Sequence, residues 1–280
     1  MQRLLLVLLL LAPAAFTAQD NPNYDPDYDG DGCYSVADIL GLLPLFGSCV
    51  DTTPAFACGD SVLFDSYWYE TVLIGDQCWF AENLRTTVYA NGDVIPAGLT
   101  DVEWGSTTTG ATAVYGEGSN YCEHFSPDID ACDEVQSLAA YGRLYNWYAV
   151  DDARGLCPSG WRVPTDSDLI PCVDSDWSEL QDFLNSQGLS STEAASLKST
   201  SGWSNGGNGT DDLGFSALPG GQRGTSGIYE YAGDWGLWWS STPAANYAWI
   251  RIIGSQTTTQ GRFNDDAATG ISVRCLKDAD

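Results

Sequence analysis

Asp27, Asp29 and Asp31 alternate along one short stretch, and Gly32, Cys33, Ser35 and Asp38 follow at fixed offsets. Carboxylates at positions 1, 3 and 5 of a twelve-residue loop converge on one cation. Gly32 stands at the sharp turn, where φ must be positive. Cys33 offers its backbone carbonyl, Ser35 can hold a bridging water, and Asp38 closes the loop. Oxygen donors in this spacing suit calcium, the one cofactor expected here.

Other chemistry finds less support. The single histidine, His124, lies in Cys122-Glu123-His124-Phe125 with no nucleophile elbow nearby, and it reads as a loop residue. With 38 acidic residues, carboxylates pair by chance, and no motif selects two of them. No catalytic residue is expected. Aromatic faces can stack on sugar rings, and Trp104, Trp203, Trp235 and Trp249 lie in polar, glycine-rich or loop-like surroundings. These four are the candidate ligand-binding residues. Trp79, Trp147, Trp161, Trp238 and Trp239 read as core. Arg143, Arg223 and Arg274 are expected to anchor buried carboxylates, such as Glu82, in bidentate pairs.

Several elements must position these groups. Arg3, the apolar run Leu4–Leu11 and the small residues Ala12–Ala15 form a secretory leader ending near residue 18. That run is too short to span a bilayer, and no membrane span is expected. Residues 19–49 form a small helical calcium-loop module, 50–61 a linker, and 62–278 the main domain. Export places the chain outside the cell, at its surface or in the periplasm. There, disulfides are expected among the nine cysteines, and the odd number leaves at least one thiol free or paired between chains. Spacing does not fix their connectivity; Cys122–Cys132 and Cys157–Cys275 are the expected bridges. The net charge of −27 argues against a nucleic-acid partner, which requires a basic face.

The main domain reads as irregular, loop-rich α+β. Trp177, Leu180, Phe183 and Leu184 mark one helix, capped by Ser175 or Asp176. A second runs from Thr192, its cap, to Lys198. Residues 141–150 are helical or extended. Strand-like runs cover 67–74, 238–241, 247–253 and 272–276.

Two resemblances add to this. The acidic loop and the following Ile39-Leu40-Gly41-Leu42-Leu43 resemble one half of a bacterial dockerin repeat, an EF-hand-type loop closed by Asp. Dockerins carry two such loops and this chain has one. The resemblance therefore implies a calcium-stabilised module and does not extend to cohesin binding. In the main domain, Gly75-Asp76-Gln77-Cys78-Trp79-Phe80, Tyr141-Gly142-Arg143-Leu144-Tyr145-Asn146-Trp147 and Cys157-Pro158-Ser159-Gly160-Trp161-Arg162-Val163-Pro164 occur in order. Gly214-Phe215-Ser216-Ala217-Leu218-Pro219-Gly220, Trp238-Trp239-Ser240-Ser241 and Ser272-Val273-Arg274-Cys275 follow. Together they resemble the Fibrobacter succinogenes major paralogous domain family. That resemblance implies a fold related to C-type lectin-like domains and the formylglycine-generating enzyme group, in exported proteins linked to adhesion. Against the family pattern, Cys78 replaces a polar residue and a segment with Cys172 looks inserted; a Cys78–Cys172 bridge would explain both. Phe263-Asn264-Asp265-Asp266 is similar to part of the C-type lectin calcium and sugar motif, whose partner motif is missing. The expected function is recognition of a glycan or surface component. A structural scaffold is the alternative, ahead of a polysaccharide hydrolase.

Overall fold

A computed structural model describes residues 56–118, 121–167, 175–245 and 247–279. The expected leader, the expected calcium loop Asp27–Asp38, Cys33, Cys49 and Cys172 lie outside the described residues.

Strands β1 (Val62–Phe64) and β2 (Tyr67–Tyr69) form a hairpin through Asp65 and Ser66. Both turn residues have positive φ, as a tight two-residue hairpin requires. The strand-like run 67–74 breaks at Glu70. Beyond it come β3 (Thr71–Ile74) and β4 (Gln77–Phe80), joined through Gly75. Helix α1 (Asp101–Ser106) begins in a reciprocal cap: the Thr100 hydroxyl accepts the Glu103 N–H, and the Glu103 carboxylate accepts the Thr100 N–H.

Next are β5 (Thr112–Ala113), β6 (Cys122–His124) and α2 (Glu134–Tyr141), which Asp133 caps. Residues 141–150 prove to be both helical and extended. They contain the end of α2, then β7 (Leu144–Tyr145), then α3 (Trp147–Val150) capped by Asn146. Helix α4 (Asp176–Ser186) buries Trp177, Leu180 and Leu184 of the expected stripe, leaves Phe183 half-buried, and is capped by Ser175. Asp176 instead takes Arg162 through two hydrogen bonds. Helix α5 (Glu193–Leu197) has Thr192 in the cap position, but its side chain makes no cap bond.

Strands β8 (Gln222–Arg223) and β9 (Tyr229–Ala232) lead into the longest ribbon, β10 (Trp235–Ala244), β11 (Tyr247–Gly254) and β12 (Gly261–Asp266). Strand β13 (Leu276–Asp278) returns to pair with β4, so the middle of one small sheet joins the two ends of the domain. Of the expected strand 272–276, only Leu276 enters a strand, as the start of β13; the residues before it form an extended thread. Its carbonyls serve different neighbours in turn: Ser272 accepts Trp239 N–H, Val273 accepts Leu84 N–H and Cys275 accepts Phe80 N–H. A chain that switches partners along its length satisfies its polar groups without building a ladder.

Regular structure is sparse, so aromatics and disulfides provide the order. Trp79, Trp177, Trp203, Trp238 and Phe215 pack in one cluster. Tyr69, Phe80 and Trp239 anchor a second. Trp104, Tyr115, Tyr141 and Tyr229 anchor a third. Trp147 and Trp161 are half-buried against the second cluster.

Bridges Cys122–Cys132 and Cys157–Cys275 form as expected. Cys78 corrects the third assignment: it bonds Cys58, not Cys172. Strand β4 runs buried against β3, and Cys58 lies beside it, where the Gly59 N–H donates to the Thr71 hydroxyl. Phe56 also packs edge-on against Trp161. The C-terminal end of the expected linker thus belongs to the domain.

The chain-entropy account ranks these bridges. Cys157–Cys275 closes a separation of 118 residues and Cys122–Cys132 only 10. Replacing the first pair by alanine should cost about 5 kcal/mol, and the second about 3 kcal/mol. Urea unfolding of the two double variants checks the order.

Candidate functional site

Alternation along three strands builds one face. Trp235, Leu237 and Trp239 on β10 stand opposite Gly254, Ile252 and Ile250 on β11. Ile252, Ile250 and Ala248 in turn stand opposite Gly261, Phe263 and Asp265 on β12. One end of this face is core, with Trp239 and Ala248 fully buried. The other opens as a groove of about 410 Å³ lined by Tyr231, Trp235, Ile252, Phe263 and Asp265, with Gln222 and Asn264. Its rim is aromatic: Phe263 is 59 % exposed and Tyr231 39 %.

Two glycines let the rings approach the sheet. A Cβ at Gly254 would stand 2.8 Å from the Trp235 ring, and one at Gly261 would stand 2.8 Å from the Phe263 ring. Tyr231 holds φ at +72°, a strained value for a bulky residue.

Asp265 is the only titratable carboxylate in the groove, and no lysine or arginine lines it. Its Oδ1 accepts the Asp266 N–H at 2.7 Å and the Thr269 hydroxyl at 3.0 Å. Burial pushes its pKa up, those two hydrogen bonds oppose the shift, and the Asp266 charge adds to it. The lining can stack on apolar ring faces and exchange hydrogen bonds with hydroxyls. It carries no net positive charge.

Of the four tryptophans expected as ligand platforms, only Trp235 lines this groove. Trp104 and Trp203 are buried, at 0 % and 1 % exposure, and are corrected to core. Trp104 sits on the capped α1 helix with the Arg223 guanidinium 4.5 Å from its ring. Trp203 donates its Nε1–H toward the Ser199 hydroxyl and the Ala217 carbonyl. Polar, glycine-rich flanks misplaced both: a short helix turns Trp104 inward, and the loop carrying Trp203 passes through the core. Trp249 is half-buried on the opposite face of the sheet, and the Arg262 guanidinium lies 3.4 Å over its ring. Tyr231 escaped the sequence, since no periodicity marks it.

The arginine assignments also change. Arg223 does reach a carboxylate, Asp101, at 3.2 Å. Arg274 reaches none: its guanidinium serves the carbonyls of Phe215 and Ser216 and Asn83 Oδ1. Glu82 holds Arg85 at 2.6 Å and the Tyr67 hydroxyl at 2.9 Å instead. Arg143 makes no salt bridge among the described residues, and its Nε is buried without a hydrogen-bond partner. His124 lies on β6 rather than in a loop, 3.3 Å from the Asp130 carboxylate. Cys132 completes a cluster with these two, but its sulfur is bonded to Cys122 and cannot act as a thiolate ligand. The expected calcium ligands Asp27, Asp29, Asp31, Cys33, Ser35 and Asp38 lie outside the described residues.

Asp265 yields a signed stability prediction. Its carboxyl holds a proton to higher pH in the folded chain than in the unfolded one, where it ionises near 3.8. The folded state therefore binds more protons between the two values, and stability falls as pH rises through them. Asp265→Asn should be more stable than the parent at pH 7. The gain should vanish below pH 3.8, where both states are protonated. Urea unfolding at both pH values checks this.

No helix of the described residues is long and apolar enough to cross a membrane. No curated protein and no solved structure matches the chain. The model of the Fibrobacter succinogenes major domain matches residues 72–277, a span that runs from β3 through the aromatic groove to β13, and the chain belongs to that family.

Proposed function

We propose that this is an exported recognition protein whose domain binds a neutral, hydroxyl-rich chain, such as a glycan, in the β10–β12 groove. The carrying observation is the aromatic rim of Tyr231, Trp235 and Phe263 over a lining without a basic residue. Sugar rings present apolar C–H faces and hydroxyl edges. Flat aromatic rings match the faces, and Gln222, Asn264 and Asp265 match the edges. Strain at Tyr231 fits a side chain held for a ligand rather than for the core.

Recognition suits this lining better than turnover, because glycoside hydrolysis ordinarily needs two carboxylates and the groove has one. The leader and the three disulfides support export, since disulfides persist in oxidising compartments. A lectin-like fold, implied by the family resemblance, belongs to the same reading. So does calcium at the Asp27–Asp38 loop, with a dissociation constant of roughly 10⁻⁴–10⁻³ M, the range of extracellular modules.

Affinity electrophoresis on neutral polysaccharides tests the groove. Trp235→Ala and Phe263→Ala should each weaken binding by about tenfold, as expected for a central aromatic anchor. Trp68→Ala should leave it unchanged; Trp68 is 60 % exposed but stands on the β1–β2 hairpin. Equal binding by all three variants, or none by the parent chain, would leave the scaffold reading.

Calorimetric titration of the mature chain tests the loop. One calcium site is expected, and Asp31→Ala should abolish it. An unchanged calcium response in that variant removes the assignment.

A further inference from the structure

The domain is rich in carboxylates, and its arginines show where they are used. Arg85, Arg154, Arg162, Arg223, Arg251 and Arg262 each hold a carboxylate within 3.2 Å. Arg274 is fully buried among carbonyl oxygens. Arg143 alone among the described arginines has neither kind of partner on its guanidinium. It is half-buried, and its Nε is enclosed without an acceptor. In a chain of net charge −27, an arginine without a partner is anomalous.

Arg143 opens onto a cleft of about 430 Å³ with Arg85, beside helix α2. Arg85 is held rigid, because Glu82 pairs with it and its guanidinium lies 4.0 Å over the Tyr67 ring. Its Nε is likewise buried and unpartnered. Two glutamates share the cleft, each already engaged. Glu117 Oε2 accepts the Val114 N–H at 2.7 Å, and Glu134 Oε1 accepts the Gly118 N–H at 3.2 Å. Arg143 also acts on Asp65 through its field. Asp65 sits below its ordinary pKa because Thr87, Thr86 and Arg143 together outweigh the opposing effect of burial.

We infer that this cleft binds the carboxylate of a sugar acid, with Arg143 as its counter-ion. A planar guanidinium pairs with a carboxylate through two parallel hydrogen bonds. The second oxygens of Glu117 and Glu134 can accept ligand hydroxyls. The same glutamates and the overall negative field disfavour sulfate and phosphate, which carry more charge. Valine and leucine side chains, Val135 and Leu138, supply an apolar wall. This site is independent of the aromatic groove, and the two assignments can fail separately.

The test uses the full chain and trigalacturonic acid, with its methyl ester as the neutral counterpart. Calorimetry runs at 0.15 M salt, where a Debye length of about 8 Å screens the distant charges. In the Trp235→Ala background, where the aromatic groove no longer competes for the neutral sugar, the acid should bind at least about tenfold more tightly than the ester. Arg143→Gln should weaken the acid by about tenfold or more, the usual effect of losing a charge-assisted pair. Trp235→Ala should not change it. Because Arg143→Gln could disturb folding, Val135→Glu gives a second reading. Val135 is 79 % exposed, so a new charge at this rim should repel the acid without unfolding the domain. Equal binding of acid and ester, binding of neither, or full acid affinity in both cleft variants would overturn the assignment.

Discussion

A guanidinium without a carboxylate holds the centre of the domain. Arg274 is fully buried, and desolvation lowers its pKa, to about 9, so it remains a cation at neutral pH. Its donors reach the carbonyls of Phe215 and Ser216 and the side-chain oxygen of Asn83. Asn83 in turn accepts the Trp238 Nε1–H at 2.9 Å and donates to the Tyr141 carbonyl and the Ser272 hydroxyl. Five pieces of chain that no common sheet connects therefore meet at one fork. Loops that run through a core leave carbonyls with no ladder partner, and each unsatisfied one costs about 1–3 kcal/mol. A planar group with five donors in fixed directions serves several at once, which a lysine cannot do. The phenyl ring of Phe215, 4.1 Å from the guanidinium carbon, completes the packing.

That constraint explains what the residues disclosed and what they withheld. Helix α4 was legible because Trp177, Leu180 and Leu184 recur with helical spacing and Ser175 caps them. The β10–β11 ribbon was legible from the paired tryptophans at 238–239 and the isoleucines of 247–253, although pairing extends it to Trp235 and Gly254. Helices α1 and α2 were not. Each is short, and the clearest mark of α1 is the Thr100–Glu103 cap rather than an apolar stripe. The 272–275 thread carries a strand's composition but divides its bonds between separate segments, and composition holds no record of partners. Cys58 looked like linker because its neighbours are small and polar. Its bridge to Cys78 depends on a long-range approach that spacing does not encode.

The groove was half legible for the same reason. Trp235 and the 263–266 run could be singled out as residue types. What joins them is register: Trp235 opposite Gly254, and Ile252 opposite Gly261. A one-residue slip would send every one of these side chains to the other face. Trp104 and Trp203 illustrate the opposite failure. Tryptophan beside glycine signals an open platform only where its segment is superficial, and here a short helix buries one ring and a loop through the core buries the other.

The two faces of the ribbon divide the work. Behind it, the fully buried Asp166 carboxylate binds Arg251 at 2.7 Å and Arg262 at 3.0 Å, and Arg262 covers Trp249. Replacing Asp166 would leave both guanidinium charges uncompensated in a dry site, which is the costly way to break such a cluster. A back face fixed in this manner holds β11 and β12 in a single register. The front face can then remain open, with Phe263 exposed, without slipping to bury it. Placing the buried ion cluster on one side of a sheet thus leaves the other side free to carry an open aromatic surface without basic residues.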